Sequence, residues 1–311
     1  MASRSTASAP GKIILFGEHA VVYGRPALAV PVTQVHADVE ISDAASAGIW
    51  IQAPDIHLHA ELNTLPSDHP IAAVLHNLFF LARVSPFPSL AVNINSTIPI
   101  ASGLGSGAAV TVALTRALSE HINYSMTDDA VNAFAYEIEK LHHGTPSGID
   151  NTVITYARPV YFIKGQAIEP FQVGQPFTIV IADTGIGAPT KESVGDVRKL
   201  WETDREKWEN VFEKVGELVK EARDSIESGK MQELGELMNQ NHVLLQEMTV
   251  SSLELDALVT AARNSGALGA KLSGGGRGGN MIALVESNKA EEAAMSLKEA
   301  GAKHTIITQV S

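Results

Sequence analysis

No cysteine occurs among the 311 residues. That removes disulfides, thiol nucleophiles, iron–sulfur clusters and every cysteine-based zinc site, and it makes the cytosol the expected compartment. Basic side chains are also scarce, with 23 Lys plus Arg against 35 Asp plus Glu and a formal net charge of −12. Such a chain gains nothing from a phosphate backbone, so nucleic acid is not an expected partner. Long apolar runs are missing too. Runs such as Phe177 to Ala182 fall far short of the roughly 20 residues of a membrane helix. Met1 to Ala9 is small and polar with a single Arg4, unlike a signal peptide. The expectation is a soluble cytoplasmic protein with no membrane contact. Internal repeats and low-complexity segments are absent as well. What remains is a globular balance, 45% hydrophobic and 19% charged, long enough for one large or two ordinary domains.

The first half reads as strands with a few helices. Lys12 to Phe16 is a short apolar run, Ala27 to Val39 is rich in β-branched residues, and Ser89 to Ile98 alternates as a half-buried strand does. A helix is expected near Ile71 to Val84, with Ser67 and Asp68 as cap candidates. Helices are expected over Ala108 to Leu118 and Thr127 to Leu141, the second with Val131, Phe134, Ala135, Ile138 and Leu141 on one face. Tyr156 to Ile163 and Phe177 to Ala182 read as strands, with the weakly patterned stretch Gly165 to Gln175 between them. The domain boundary is placed there, giving domains of 1–170 and 171–311. Thr190 to Asn264 is mostly helical, Gly266 closes its last helix, and Met281 to Val285 is a strand before a closing helix and strand. Without regular βαβ alternation, α+β fits better than a doubly wound sheet.

Four constellations carry chemistry. Ser102-Gly103-Leu104-Gly105-Ser106-Gly107 lies between a strand and a helix, where backbone N–H groups and a helix N-terminus suit phosphate. No Gly-Lys-Ser/Thr follows, so it is not a Walker A loop, and the following helix argues against a Rossmann turn. A purely structural turn is the plain alternative. Ser273 to Gly279 holds five glycines in seven positions, costly unless a ligand or another backbone comes close. His143 to Asn151 is a turn in which Asp150 is either a functional carboxylate or the N-cap of the next element. Just upstream, Glu137 and Glu139 flank Ile138, and periodicity leaves both open as magnesium ligands. Near the N-terminus, Lys12 sits in or beside an apolar strand and Glu18-His19 follow Gly17 at its end. His57 and His59 share a face of an expected strand and His142 adjoins His143, but neither pair has a recognisable third zinc ligand.

Together these segments resemble the GHMP small-molecule kinases in their mevalonate-phosphorylating form. Ser8 to Val22, Pro99 to Ala109, Gly144 to Asn151 and Lys271 to Asn280 are similar to that family's motifs, in the family's order and across nearly the whole chain. The resemblance implies two domains with the active site in the cleft between them, ATP and Mg²⁺ as donor, and the 5-hydroxyl of mevalonate as a small-molecule acceptor. It implies Asp150 as general base, with Lys12 orienting it and contacting the phosphoryl region. The nucleotide loop would be Pro99, Ile100, Ala101, Ser102, Gly103, Leu104, Gly105, Ser106, Gly107, Ala108 and Ala109. Glu139, eleven positions before Asp150, takes the magnesium-binding position in preference to Glu137. Glu18, His19 and Thr190 fall at acceptor-contacting positions.

Three departures stand out. The family's magnesium-contacting second serine is Gly107 here, leaving Ser106 or water for that role. Arg277 stands where glycine is usual and either contacts a phosphate or points to solvent. Asn280 stands where cysteine is common. An extra cation at Arg277 would suit phosphorylated mevalonate, so a sister kinase acting on that compound, homoserine or a sugar is the main rival. A non-catalytic ATP and small-ligand sensor on the same fold is the rival of another class. The long helical second half is compatible with a homodimer.

Overall fold

The computed structural model describes residues 3–99, 102–143, 146–187 and 190–311, with 142, 143 and 170 described through their backbone alone. The chain folds into two compact units. One comprises Met1–Gly11, Val35–Pro99 and Gly105–Ala157, the other Lys12–Gln34, Ile100–Leu104 and Arg158–Ser311.

In the first unit, strands β3 (Ile49–Ala53), β4 (Leu58–Glu61) and β5 (Leu90–Ser96) join the second half of β2 (Ala27–Asp43) in the order β4-β3-β5-β2. β3 runs parallel to β5, and the other two pairs are antiparallel. The alternation in β5 is realised. Leu90, Val92 and Ile94 are buried, and Val92 and Ile94 lie opposite Ile41 and Val39 of β2, while Asn95 is exposed. The long strand β1 (Arg4–Phe16) also pairs with β2. It starts eight residues before the expected run at Lys12, because Ser5, Ala9 and Gly11 alternate inward even though their side chains are small.

Helices α1 (Pro70–Ala82), α2 (Ser106–His121), α3 (Asp128–His143) and α4 (Ile149–Tyr156) pack against one another in this unit. Three expectations are corrected here. α1 has His69 at its N-cap with no side-chain cap bond, so Ser67 and Asp68 do not open it. Leu141 is 61% exposed, so the apolar stripe of α3 ends at Ile138. Tyr156 ends helix α4 and does not begin a strand, which covers only β6 (Val160–Phe162). The β-branched run Thr152-Val153-Ile154-Thr155 favours extended structure by local preference. Packing on α2 and α3 buries all four residues instead, and burial overrides the preference.

In the second unit, β6 pairs with the first half of β2, and the short β7 (Glu169–Pro170) pairs with β6. A separate four-stranded antiparallel sheet has the order β11-β8-β10-β9, from β8 (Phe177–Asp183), β9 (Gly269–Ser273), β10 (Asn280–Val285) and β11 (His304–Val310). Every residue of β9 and β10 is buried. The expected helical region resolves into α5 (Thr190–Thr203), α6 (Arg205–Glu227), α7 (Met231–Glu247) and α8 (Leu253–Asn264), followed by α9 (Ala290–Glu299). Asp204 caps α6 and Ser252 caps α8 through their side chains, and Gly266 follows α8 with φ +87°. Trp208, Val211, Phe212, Val215 and Leu218 are buried, as a packing stripe requires. Among the described residues, no helix is long and apolar enough to cross a membrane.

Candidate active site

In the second unit the glycine loop is held from its carbonyl side. Lys12, on β1 and 4% exposed, donates from Nζ to the Gly103 carbonyl at 3.0 Å and from its backbone N–H to the Leu104 carbonyl at 2.9 Å. Asn280 Nδ2 donates to the Ser102 carbonyl. Ile100 and Ala101 lie outside the described residues.

The residues after β1 are buried as a group. Glu18 Oε1 forms an ion pair with Lys271 Nζ, and both side chains are wholly inaccessible. Burial pushes the Glu18 carboxyl up and the Lys271 ammonium down, each opposed by attraction to the other. Glu18 Oε2 has no partner among the described residues. His19, held at φ +61°, places Nε2 3.1 Å from the Gly275 carbonyl. That oxygen can only accept, so Nε2 carries the proton and Nδ1 is left as a buried acceptor with no described partner. Burial lowers the His19 pKa to about 4, so the ring is neutral near pH 7. Thr190 opens α5 against the same turn: a Cβ on Gly275 would lie 2.7 Å from Thr190 Oγ1, so only glycine fits there.

Arg277 does not simply point to solvent. At φ +59°, it directs Nη1 to Asp196 Oδ2 of α5 at 2.6 Å, and its backbone N–H donates to the Val250 carbonyl. It ties the glycine turn to α5 through a half-buried ion pair.

In the first unit, Gly105 caps α2 in the left-handed region at φ 77°, and Ser106, Gly107 and Ala108 follow as its first turn. Ala109 N–H already donates to the Gly105 carbonyl at 2.9 Å, and Ala108 and Ala109 are buried, so any anion there meets backbone. Glu139 is half-buried on α3, whereas Glu137 is exposed and pairs with Lys140 at 2.7 Å. Asp150 lies in the first turn of α4, two residues after its cap Gly148, so it is not the N-cap. The turn residues Gly144 and Thr145, the His142 and His143 side chains, and Pro189 fall outside what is described. His57 precedes β4 at φ +53° and does not share a strand face with His59. Among the described residues, no three His, Asp or Glu side chains gather as a metal site.

The sequence matches the family models "GHMP kinases N terminal domain" over residues 71–158 and "GHMP kinases C terminal" over 222–303. It is 37% identical to a mevalonate kinase of Pyrococcus abyssi, across 98% of this chain and 95% of that one. The fold superposes on the crystal structure of L. major mevalonate kinase in complex with R-mevalonate with a TM-score of 0.86 and 31% identity, covering 100% and 97% of the two chains. The chain belongs to the mevalonate kinase family. At 18% identity and TM-score 0.82, a Streptococcus pneumoniae phosphomevalonate kinase shares the fold alone (97% and 99% covered). As a member of the mevalonate kinase family the chain is a phosphotransferase with an alcohol acceptor, on the α+β fold of the GHMP kinases.

Sequence reasoning missed Lys271 and Asp196, and it named Asn280 without giving it a role. Lys271 carried a usable signal, a lysine inside an apolar strand, which is the argument that singled out Lys12. Asp196 gave none, being one acid among many on a charged helix.

Proposed function

We propose that the chain transfers the γ-phosphoryl group of ATP to the 5-hydroxyl of mevalonate, giving 5-phosphomevalonate and ADP. The full-length likeness to the L. major enzyme crystallised with R-mevalonate carries this reading. The polar Glu18–His19 segment beside Thr190 and Gly275 supports it, because Glu18 Oε2 and His19 Nδ1 are buried acceptors without a described partner, the kind of atom a hydroxyl would satisfy. The tie of Arg277 to Asp196 takes away the cation that would have argued for an already phosphorylated acceptor.

In this reading the backbone of Ser102 to Gly107 holds the donor phosphates. Lys12 neutralises charge as it builds on the transferring group. Glu18, His19 and Thr190 orient the acceptor, and Asp150 receives the hydroxyl proton as the new O–P bond forms and the β–γ bridging O–P bond breaks. The transition state is loose, so most of the rate comes from positioning and charge neutralisation. A magnesium ion would be held by Glu139 and the Ser106 hydroxyl. Glu139, half-buried on α3, and Ser106, in the first turn of α2, carry hard oxygen donors of the kind magnesium takes alongside phosphate and water. When bound it supplies charge neutralisation across the phosphates. We place the division between an ATP-binding N-terminal domain and a C-terminal domain at 170/171, which leaves each family model on its own side.

Asp150→Asn tests the assignment. It is expected to lower kcat by about 10²–10⁴-fold while ATP still binds. Turnover within a few-fold of the parent protein would remove Asp150 from the general-base role.

A further inference from the structure

Three successive carbonyls of the glycine loop are engaged from one side: Ser102 by Asn280 Nδ2, Gly103 by Lys12 Nζ and Leu104 by the Lys12 N–H. In a planar trans peptide the C=O of one residue and the N–H of the next point in opposite directions. Fixing these oxygens therefore turns the N–H groups of Gly103, Leu104 and Gly105 away from Lys12 and Asn280, as a run of successive donors suited to an oxyanion. None of the three N–H groups has a partner among the described residues. Lys12 secures two of the three peptides and already has a role in the proposed reaction. Asn280 secures the remaining one.

We propose that Asn280 is a positioning residue for the nucleotide phosphates, holding the Gly103 N–H in its donor orientation through the Ser102 carbonyl. The inference rests on reading this loop as the phosphate site. Asn280 is 2% exposed and opens β10, paired with Ser273 on one side and Asp183 on the other. The residue before it is fixed as well, since Gly279 donates to the Ile186 carbonyl at 2.8 Å and accepts from the Thr184 N–H at 2.9 Å. The strut thus stands on a rigid base. The Ser102 oxygen can only accept, which assigns Nδ2 to that contact and leaves Oδ1 buried with no described partner. Asp fits the same volume but sets a carboxylate oxygen against the carbonyl, and Leu supplies no donor. Cys offers only a weak S–H donor.

The experiment compares ADP and adenosine binding by calorimetry, in the presence of Mg²⁺, for the parent protein, Asn280→Asp, Asn280→Leu and Asn280→Cys. Thermal melts confirm folding, and amide hydrogen exchange is followed at Gly103. Asp and Leu are expected to weaken ADP about three- to tenfold, to leave adenosine and the mevalonate KM unchanged, and to speed Gly103 exchange. Cys is expected to fold and to fall between them and the parent, which keeps the test open if Leu does not fold. Unchanged ADP affinity, or equal weakening of ADP and adenosine, would overturn the strut. A parent protein that binds ADP no more tightly than adenosine would overturn the phosphate-loop reading itself.

Discussion

Glu18 and Lys271 are both wholly buried, and neither is tolerable there without the other. Desolvating two charges costs several kcal/mol, and the attraction between them offsets that only while both are present. Lys271→Met is therefore expected to destabilise the protein by about 3–5 kcal/mol, through the stranded carboxylate, and Glu18→Gln on the same background should recover most of it. Urea denaturation of the two variants checks this; equal losses in both would mean the pair is not the cause. Arg277 gives the opposite prediction. A non-glycine residue at φ +59° is strained by about 1 kcal/mol, and its half-exposed ion pair with Asp196 returns a similar amount. Arg277→Gly should change stability by less than about 1 kcal/mol and leave the ATP KM unaltered. A large rise in that KM would restore Arg277 as a phosphate ligand.

At the scale of elements, the first turn of α2 has room that the sequence does not use. A Cβ on Gly107 would meet open space, so Gly107→Ser should fold, gain a few tenths of a kcal/mol in helix propensity and lower the Mg²⁺ concentration for half-maximal activity. No change in Mg²⁺ dependence would exclude that position as a metal contact. The glycine turn after β9 has no such room. Gly275→Ala would push Thr190 and the start of α5 away, and the mevalonate KM is expected to rise more than the ATP KM. These elements differ in how far the sequence revealed them. β5 and α3 were legible because each has a clean period and a buried face, α2 as small residues after the glycine loop, and β8 as a continuous apolar run. β9 was hidden by its lysine, and β3 and β4 by their shortness. α4 was masked by β-branched residues whose preference packing reversed. Of the site, Lys12, Glu18 and Asp150 could be singled out along the chain, but the contacts of Asn280 and Arg277 join residues 178 and 81 positions away and have no local signature.

The whole molecule should lose stability in mild acid through two buried histidines. Burial lowers His19 and His242 from 6.5 to about 4. Between those values the unfolded chain binds protons that the folded one refuses. The stabilisation is therefore fully present above about pH 6.5 and lost as pH falls toward 4, by up to roughly 3 kcal/mol for each ring. His242→Gln, which keeps a donor toward Asp256, should remove part of the drop between pH 7 and pH 5 in urea titrations. An unaltered drop would place the acid sensitivity elsewhere.

What the chain phosphorylates is read from its acceptor. The most direct test is ADP release with ATP-Mg²⁺ and a panel of mevalonate, phosphomevalonate, homoserine and galactose, run beside Asp150→Asn. Turnover is expected with mevalonate alone and is expected to be lost in the variant. Turnover confined to another acceptor, or ATP binding with no turnover on any, would contradict it.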